Sequence, residues 1–154
     1  VAQGYGIAHP MPKADFSNWA MRWQHPPQWA RWRDTLSNPL CRRLTRFELS
    51  HRHWFARLEY HLRDGIATPP PQLDPHRCDF GHWLDGEGRE ILATRTEFPA
   101  IVNTHEAMHR AAQKLVAAAK TGAPPPELRE EVTALHRELL ARLQALALAI
   151  PRRG

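Results

Sequence analysis

A chain of 154 residues, 42% hydrophobic and 24% charged, is long enough for one domain with a real core and reads as globular. Its formal charge of +5 comes from 18 arginines and only three lysines. They are spread along every segment, which argues against the single basic face of a nucleic-acid module. No apolar run approaches the ~18–20 residues of a membrane span, and no basic-then-apolar leader opens the chain. A cytoplasmic protein with neither a nucleic-acid nor a membrane partner is therefore expected.

Residues 1–38 differ from the rest. They hold Gly4, Gly6, Pro10, Pro12, Pro26 and Pro27, and four of the six tryptophans lie between Trp19 and Trp32. The spacing predicts a short helix over 13–24, started near Asp15 or Ser17, with Trp19 and Trp23 on one face at i, i+4. The first residue is Val1, not Met, so a piece cut from a longer protein is expected.

From Pro39 the pattern becomes helical. Asn38 is a candidate N-cap and Gly65 a stop for a helix over 39–63. Leu44, Phe47, His51, Trp54, Leu58 and His61 form its apolar stripe at 3–4 spacing. The linker 65–75 contains Pro69-Pro70-Pro71, which has no place inside a helix. Short helices are predicted over 77–84 and 89–94, around a turn marked by Gly86 and Gly88. A long helix over 97–120 follows, striped by Phe98, Ile101 or Val102, His105, Met108 or His109, Ala112, Leu115 or Val116, and Ala119. Gly122 and Pro124-Pro125-Pro126 end it. The last helix, 127–150, has Leu128, Val132, Leu135, Leu139, Leu143, Leu146 and Ile150 on its stripe. Short connections between long amphipathic helices imply an all-α fold: an antiparallel four-helix bundle over 39–150, with an irregular tail before it and a second tail at 151–154.

Three histidines sit on these stripes. His105 and His109 are i, i+4 neighbours, and His51 lies between Phe47 and Trp54. A buried imidazole costs free energy unless a partner satisfies it, and each alone reads as an ordinary core residue. A metal would satisfy all three at once. Cys78, in the segment between these helices, supplies a soft thiolate as a fourth ligand, a donor set that suits tetrahedral Zn²⁺. Cys41 and Cys78 are expected to be thiols, not a disulfide.

The His-x-x-Trp at 51–54, the Cys-x-Phe-Gly-x-Trp-Leu at 78–84 and the His-x-x-x-His at 105–109 resemble the chemoreceptor zinc-binding (CZB) domain, over roughly residues 40–150. The resemblance implies His51, Cys78, His105 and His109 as zinc ligands. It leaves His76 and His82, which flank the cysteine, out of the set. Trp54 and Trp83 read as core residues around the site. His53 should point off the stripe, His61 and His136 fit stripe or edge positions, and His9 and His25 belong to the tail. The family further implies bacterial signalling, with zinc occupancy or oxidation of the bound thiolate as input. Some related domains form dimers, so a homodimer is among the expected partners.

Residues 1–12, with Gln3-Gly4-Tyr5 and Pro10-Met11-Pro12, resemble the C-terminal edge of EAL-type cyclic-di-GMP phosphodiesterases, and the Trp-rich exit through Trp32 resembles the tail that follows. The resemblance implies an attached phosphodiesterase domain as output, although the catalytic residues of such enzymes are absent from this stretch. A rival reading is a zincin-like hydrolase. His105-Glu106-Ala107-Met108-His109 fits His-Glu-x-x-His, with Glu106 as general base. Four protein ligands close a zinc site whereas catalysis needs an open position, and no third zincin ligand follows, so a regulatory domain without catalytic residues is expected. A di-iron bundle would need two Glu-x-x-His pairs, which the stripes lack.

Overall fold

The computed structural model describes residues 9–23, 38–64 and 67–150. Among them are six helices and no strand. The chain divides into two compact units, residues 1–34 and 35–154.

In the first unit, α1 (Lys13–Arg22) begins after Pro12 with no side-chain cap; Asp15 lies in its first turn and Arg22 in its last. That charge order complements the helix dipole. Phe16, Trp19 and Trp23 form a ladder along one side, with ring centroids 5.7 and 5.9 Å apart. The helix stops two residues before the expected boundary because Trp23 turns to extended backbone. Residues 1–8, His25 and the segment bearing Trp29 and Trp32 lie outside the described residues.

The second unit is the bundle: α2 (Pro39–Arg63), α3 (Asp79–Asp85), α4 (Glu87–Leu92), α5 (Phe98–Thr121) and α6 (Pro126–Ala149). Asn38 caps α2 as expected, its side-chain oxygen accepting from the backbone N–H of Leu40 at 2.9 Å and of Cys41 at 3.4 Å. All six residues of the α2 stripe are buried. Gly122, at φ 155°, ends α5 in a backbone region that favours glycine, and four residues later Pro126 opens α6.

Cross-helix contacts fix the topology. The Cys41 thiol at the start of α2 faces the Ala147 carbonyl at the end of α6, 3.5 Å away, and Arg129 pairs with Glu59 at 2.7 Å, so α2 and α6 are antiparallel. His51 meets His105 at 5.3 Å and, a turn further along both helices, Trp54 meets His109 at 4.8 Å, so α2 and α5 are parallel. The intervening crossover descends between them and supplies the fourth member of the bundle as two short helices in series. Arg43 pairs with Glu87 across α2 and α4. Leu58, Met108, Leu115, Val132 and Leu139 have no exposed surface and form the middle of the core.

The Pro-rich crossover is held by side chains, since an extended Pro-rich strand leaves its carbonyls without partners of its own. His61 Nδ1 contacts the Thr68 carbonyl, Trp54 Nε1–H donates to Gln72 O at 2.6 Å, and Gln113 donates to Leu73 O at 2.9 Å.

Leu58→Ala is expected to cost about 2–5 kcal/mol of stability and Asn38→Ala about 1 kcal/mol. Urea unfolding followed by circular dichroism checks both. Equal losses would contradict the division into core and cap.

Candidate metal centre

Four side chains converge where α2, the start of α3 and α5 meet. One donor atom from each of His51, Cys78, His105 and His109 lies within 4.8 Å of the other three. Donors bonded tetrahedrally to Zn²⁺ would stand about 3.3–3.8 Å apart, given bonds of about 2.0–2.3 Å. The Cys78 Sγ to His105 Nε2 distance is already 3.3 Å.

The helices set these positions. His51 is one turn after Phe47 on α2 and bonds that residue's carbonyl through Nδ1 at 2.9 Å. His109 directs Nδ1 at the Leu73 carbonyl, 3.0 Å away. A carbonyl partner requires Nδ1 to carry the proton, so in both rings Nε2 is left bare. His109 Nε2 is buried and has no hydrogen-bond partner. An orphaned acceptor of this kind beside a thiol and two more imidazoles is what a soft divalent cation would satisfy.

Cys78 enters differently from the expectation that it would lie within a helix over 77–84. It is the N-cap of α3, in extended conformation, with Sγ accepting the Gly81 N–H at 3.2 Å. The sulfur thereby takes the place of the usual capping oxygen, which starts the helix at Asp79. The second short helix is likewise displaced, to Glu87–Leu92, because Gly86 ends α3 and begins α4. Gly81 permits this turn: a Cβ there would lie 1.7 Å from the Pro75 carbonyl oxygen.

Aromatic rings wall the cluster. Phe80 meets His51 and His105 edge-on at 5.3 and 5.1 Å, and Trp54 packs on His109 at 4.8 Å. Phe47 and Trp83 stand behind Phe80. Burial in this apolar wall lowers the affinity of all three imidazoles for protons. His105 falls to about 2, with the neighbouring His109 adding to the effect, and His109 falls to about 4. Burial also pushes the Cys78 thiol up, against the bond from Gly81.

None of the other histidines described in the bundle belongs to this cluster. His53 and His82 are exposed, as is His9 in the first unit. His76 is exposed and bonded to Asp85 at 2.8 Å. His61 is buried against Thr68, and His136 is buried and stacked on Phe55 with centroids 4.3 Å apart. Cys41 and Cys78 are both free thiols. Sequence reasoning missed the backbone carbonyls of Phe47 and Leu73, and Gln113, which shares the Leu73 carbonyl with His109. The Pro-rich composition of 69–75 was the available signal that these carbonyls would need donors.

The site thus defines a helical bundle with a buried three-histidine, one-cysteine cluster that could hold a metal ion. Residues 51–116 match the model of the chemoreceptor zinc-binding domain family, a zinc-binding domain, and the matched segment contains all four cluster residues. No curated protein and no solved structure matches the chain.

The three imidazoles predict a pH dependence for metal-free protein. Their folded affinities lie below the ordinary value of 6.5, so below that pH the unfolded chain binds protons that the folded chain refuses. Their contribution is complete above pH 6.5 and is lost as pH falls, down to about 4 for His109 and about 2 for His105, by at most about 1.4 kcal/mol per pH unit for each histidine. The urea midpoint of chelator-treated protein should drop between pH 7 and pH 5. A midpoint unchanged over that range contradicts the buried neutral state.

Proposed function

We propose that residues 39–150 are a regulatory, zinc-binding sensory domain of a bacterial signalling protein. One Zn²⁺ would be held by His51, Cys78, His105 and His109. The observation that carries this reading is the buried, unpartnered His109 Nε2 at the convergence of the other three donors. The family match over 51–116 supports the choice of zinc. Four protein donors leave no open position, which suits a structural or sensing site.

The hydrolase reading has no support in the geometry. Glu106 pairs with Arg110 at 3.0 Å on the same helix, and the arginine is exposed. A base so engaged is not poised over a metal-bound water.

The input in this reading is zinc itself or an oxidant, acting on the Cys78 sulfur. Coordination holds the sulfur as thiolate, the form that oxidants attack. The output in this reading is an attached EAL-type phosphodiesterase, supported only by the likeness of residues 1–32 to the end of such a domain. The family resemblance supports a cytoplasmic location in this reading, and it admits a homodimer, since some related domains form dimers.

Two measurements test the metal assignment. Purified protein should carry one zinc per chain, and a Cys78→Ala, His105→Ala double variant should carry none; a full equivalent retained by that variant sinks the assignment. Glu106→Gln should leave zinc content unchanged. Loading should also release about one proton at neutral pH, because the thiol must ionise whereas the buried imidazoles are already neutral. Calorimetry in buffers of different ionisation enthalpy reads that number, and three or more protons would contradict the neutral imidazoles. In the longer parent protein, chelation or Cys78→Ala should change the rate of cyclic-di-GMP hydrolysis; a rate indifferent to both removes the proposed output.

A further inference from the structure

The four cluster residues are not equally enclosed. His51, His105 and His109 are 3, 1 and 0% exposed, while Cys78 is only half-buried. An open groove of about 330 Å³ runs between α2 and the segment 71–80, and His51, Cys78 and Phe80 line it. Cys78 therefore faces this groove, behind a rim that includes Arg57 and Arg77. Both arginines are exposed, and neither makes an ion pair among the described residues. Asp79 is the one carboxylate lining the groove, so the rim carries a net positive charge.

We infer that this groove is a charge-selective port to the Cys78 sulfur, and that Arg57 and Arg77 favour small anionic disulfides over neutral or cationic ones. Two guanidiniums beside a concave, partly apolar wall raise the local concentration of an anion and so its encounter rate with the sulfur. The volume of about 330 Å³ admits a molecule of a few rings. The step is thiol–disulfide exchange. The Cys78 thiol gives its proton to water and its sulfur attacks one sulfur of the reagent. A new S–S bond forms to Cys78, and the old S–S electron pair departs with the leaving thiolate. In the zinc reading of the site, the same step would remove one of the four donors, so the port deepens that reading by naming what reaches the sensing sulfur.

The test uses Cys41→Ser protein, so that Cys78 is the reacting thiol, treated with chelator. Two reagents are compared: dithiobis(nitrobenzoate), a dianion, and dithiodipyridine, which is neutral. The readout is the ratio of their second-order rates, which cancels any change in thiolate fraction. Replacing Arg57→Gln and Arg77→Gln together should lower that ratio about three- to tenfold at low ionic strength, with the difference shrinking as salt is added. Circular dichroism should show the variant folded. An unchanged ratio, or an equal fall in both rates, overturns the port. Repeating the reaction with one equivalent of zinc separates the two readings. Protection of Cys78 by zinc supports the metal site whatever the ratio does, and its absence counts against the metal site while leaving the ratio as the measure of the port.

Discussion

Three imidazoles lie buried between two parallel helices, and the rest of the bundle is arranged to make that burial tolerable. A neutral imidazole has one N–H and one bare nitrogen, and each needs a partner when water is excluded. The N–H partners of His51 and His109 are backbone carbonyls, Phe47 on the same helix and Leu73 on the crossover. The bare nitrogens then point inward, where Cys78 joins them. Without a common acceptor of those lone pairs, the cluster is a set of desolvated polar atoms in an aromatic box.

This explains why the crossover takes its route. A shorter connection between α2 and α5 would make them antiparallel and leave no returning segment to bring Cys78 beside His51 and His105. The descending stretch from 67 to 97 brings the chain back, so that α5 begins at the same end as α2. On the way it presents extended, Pro-rich backbone whose carbonyls are free to accept from Trp54, His109 and Gln113. It then turns tightly at Gly81, where only a hydrogen fits against Pro75, and delivers Cys78 to the cluster.

Much of this could be read from the sequence, and the reason is periodicity. The stripes of α2, α5 and α6 placed His51, His105 and His109 on buried faces because a 3.6-residue repeat fixes direction regardless of partners. Long helices bounded by Asn38, Gly122 and proline runs were accordingly legible to within a residue or two. The short helices were not. Too brief for a repeat to establish itself, their limits depend on tertiary contacts such as the capping of α3 by a sulfur and the packing of Gly88 against Trp83. His136 illustrates a second limit. Its stripe or edge position was visible, but its stacking on Phe55 depends on how α6 lies against α2.

The contrast between Cys41 and Cys78 shows how environment separates two residues of one type. Burial pushes both thiols up. Cys41 ends there: it is fully enclosed and faces a single carbonyl, so it behaves as a small apolar side chain with a weak donor. Cys78 instead has an imidazole at 3.3 Å, a backbone N–H directed at its sulfur, and an open groove on one side. In the proposed reading, those additions would supply a place for a cation to replace the thiol proton and a path for a reactant to arrive. With Cys78 as its one half-buried member, the cluster would in this reading join a buried binding site to the solution outside.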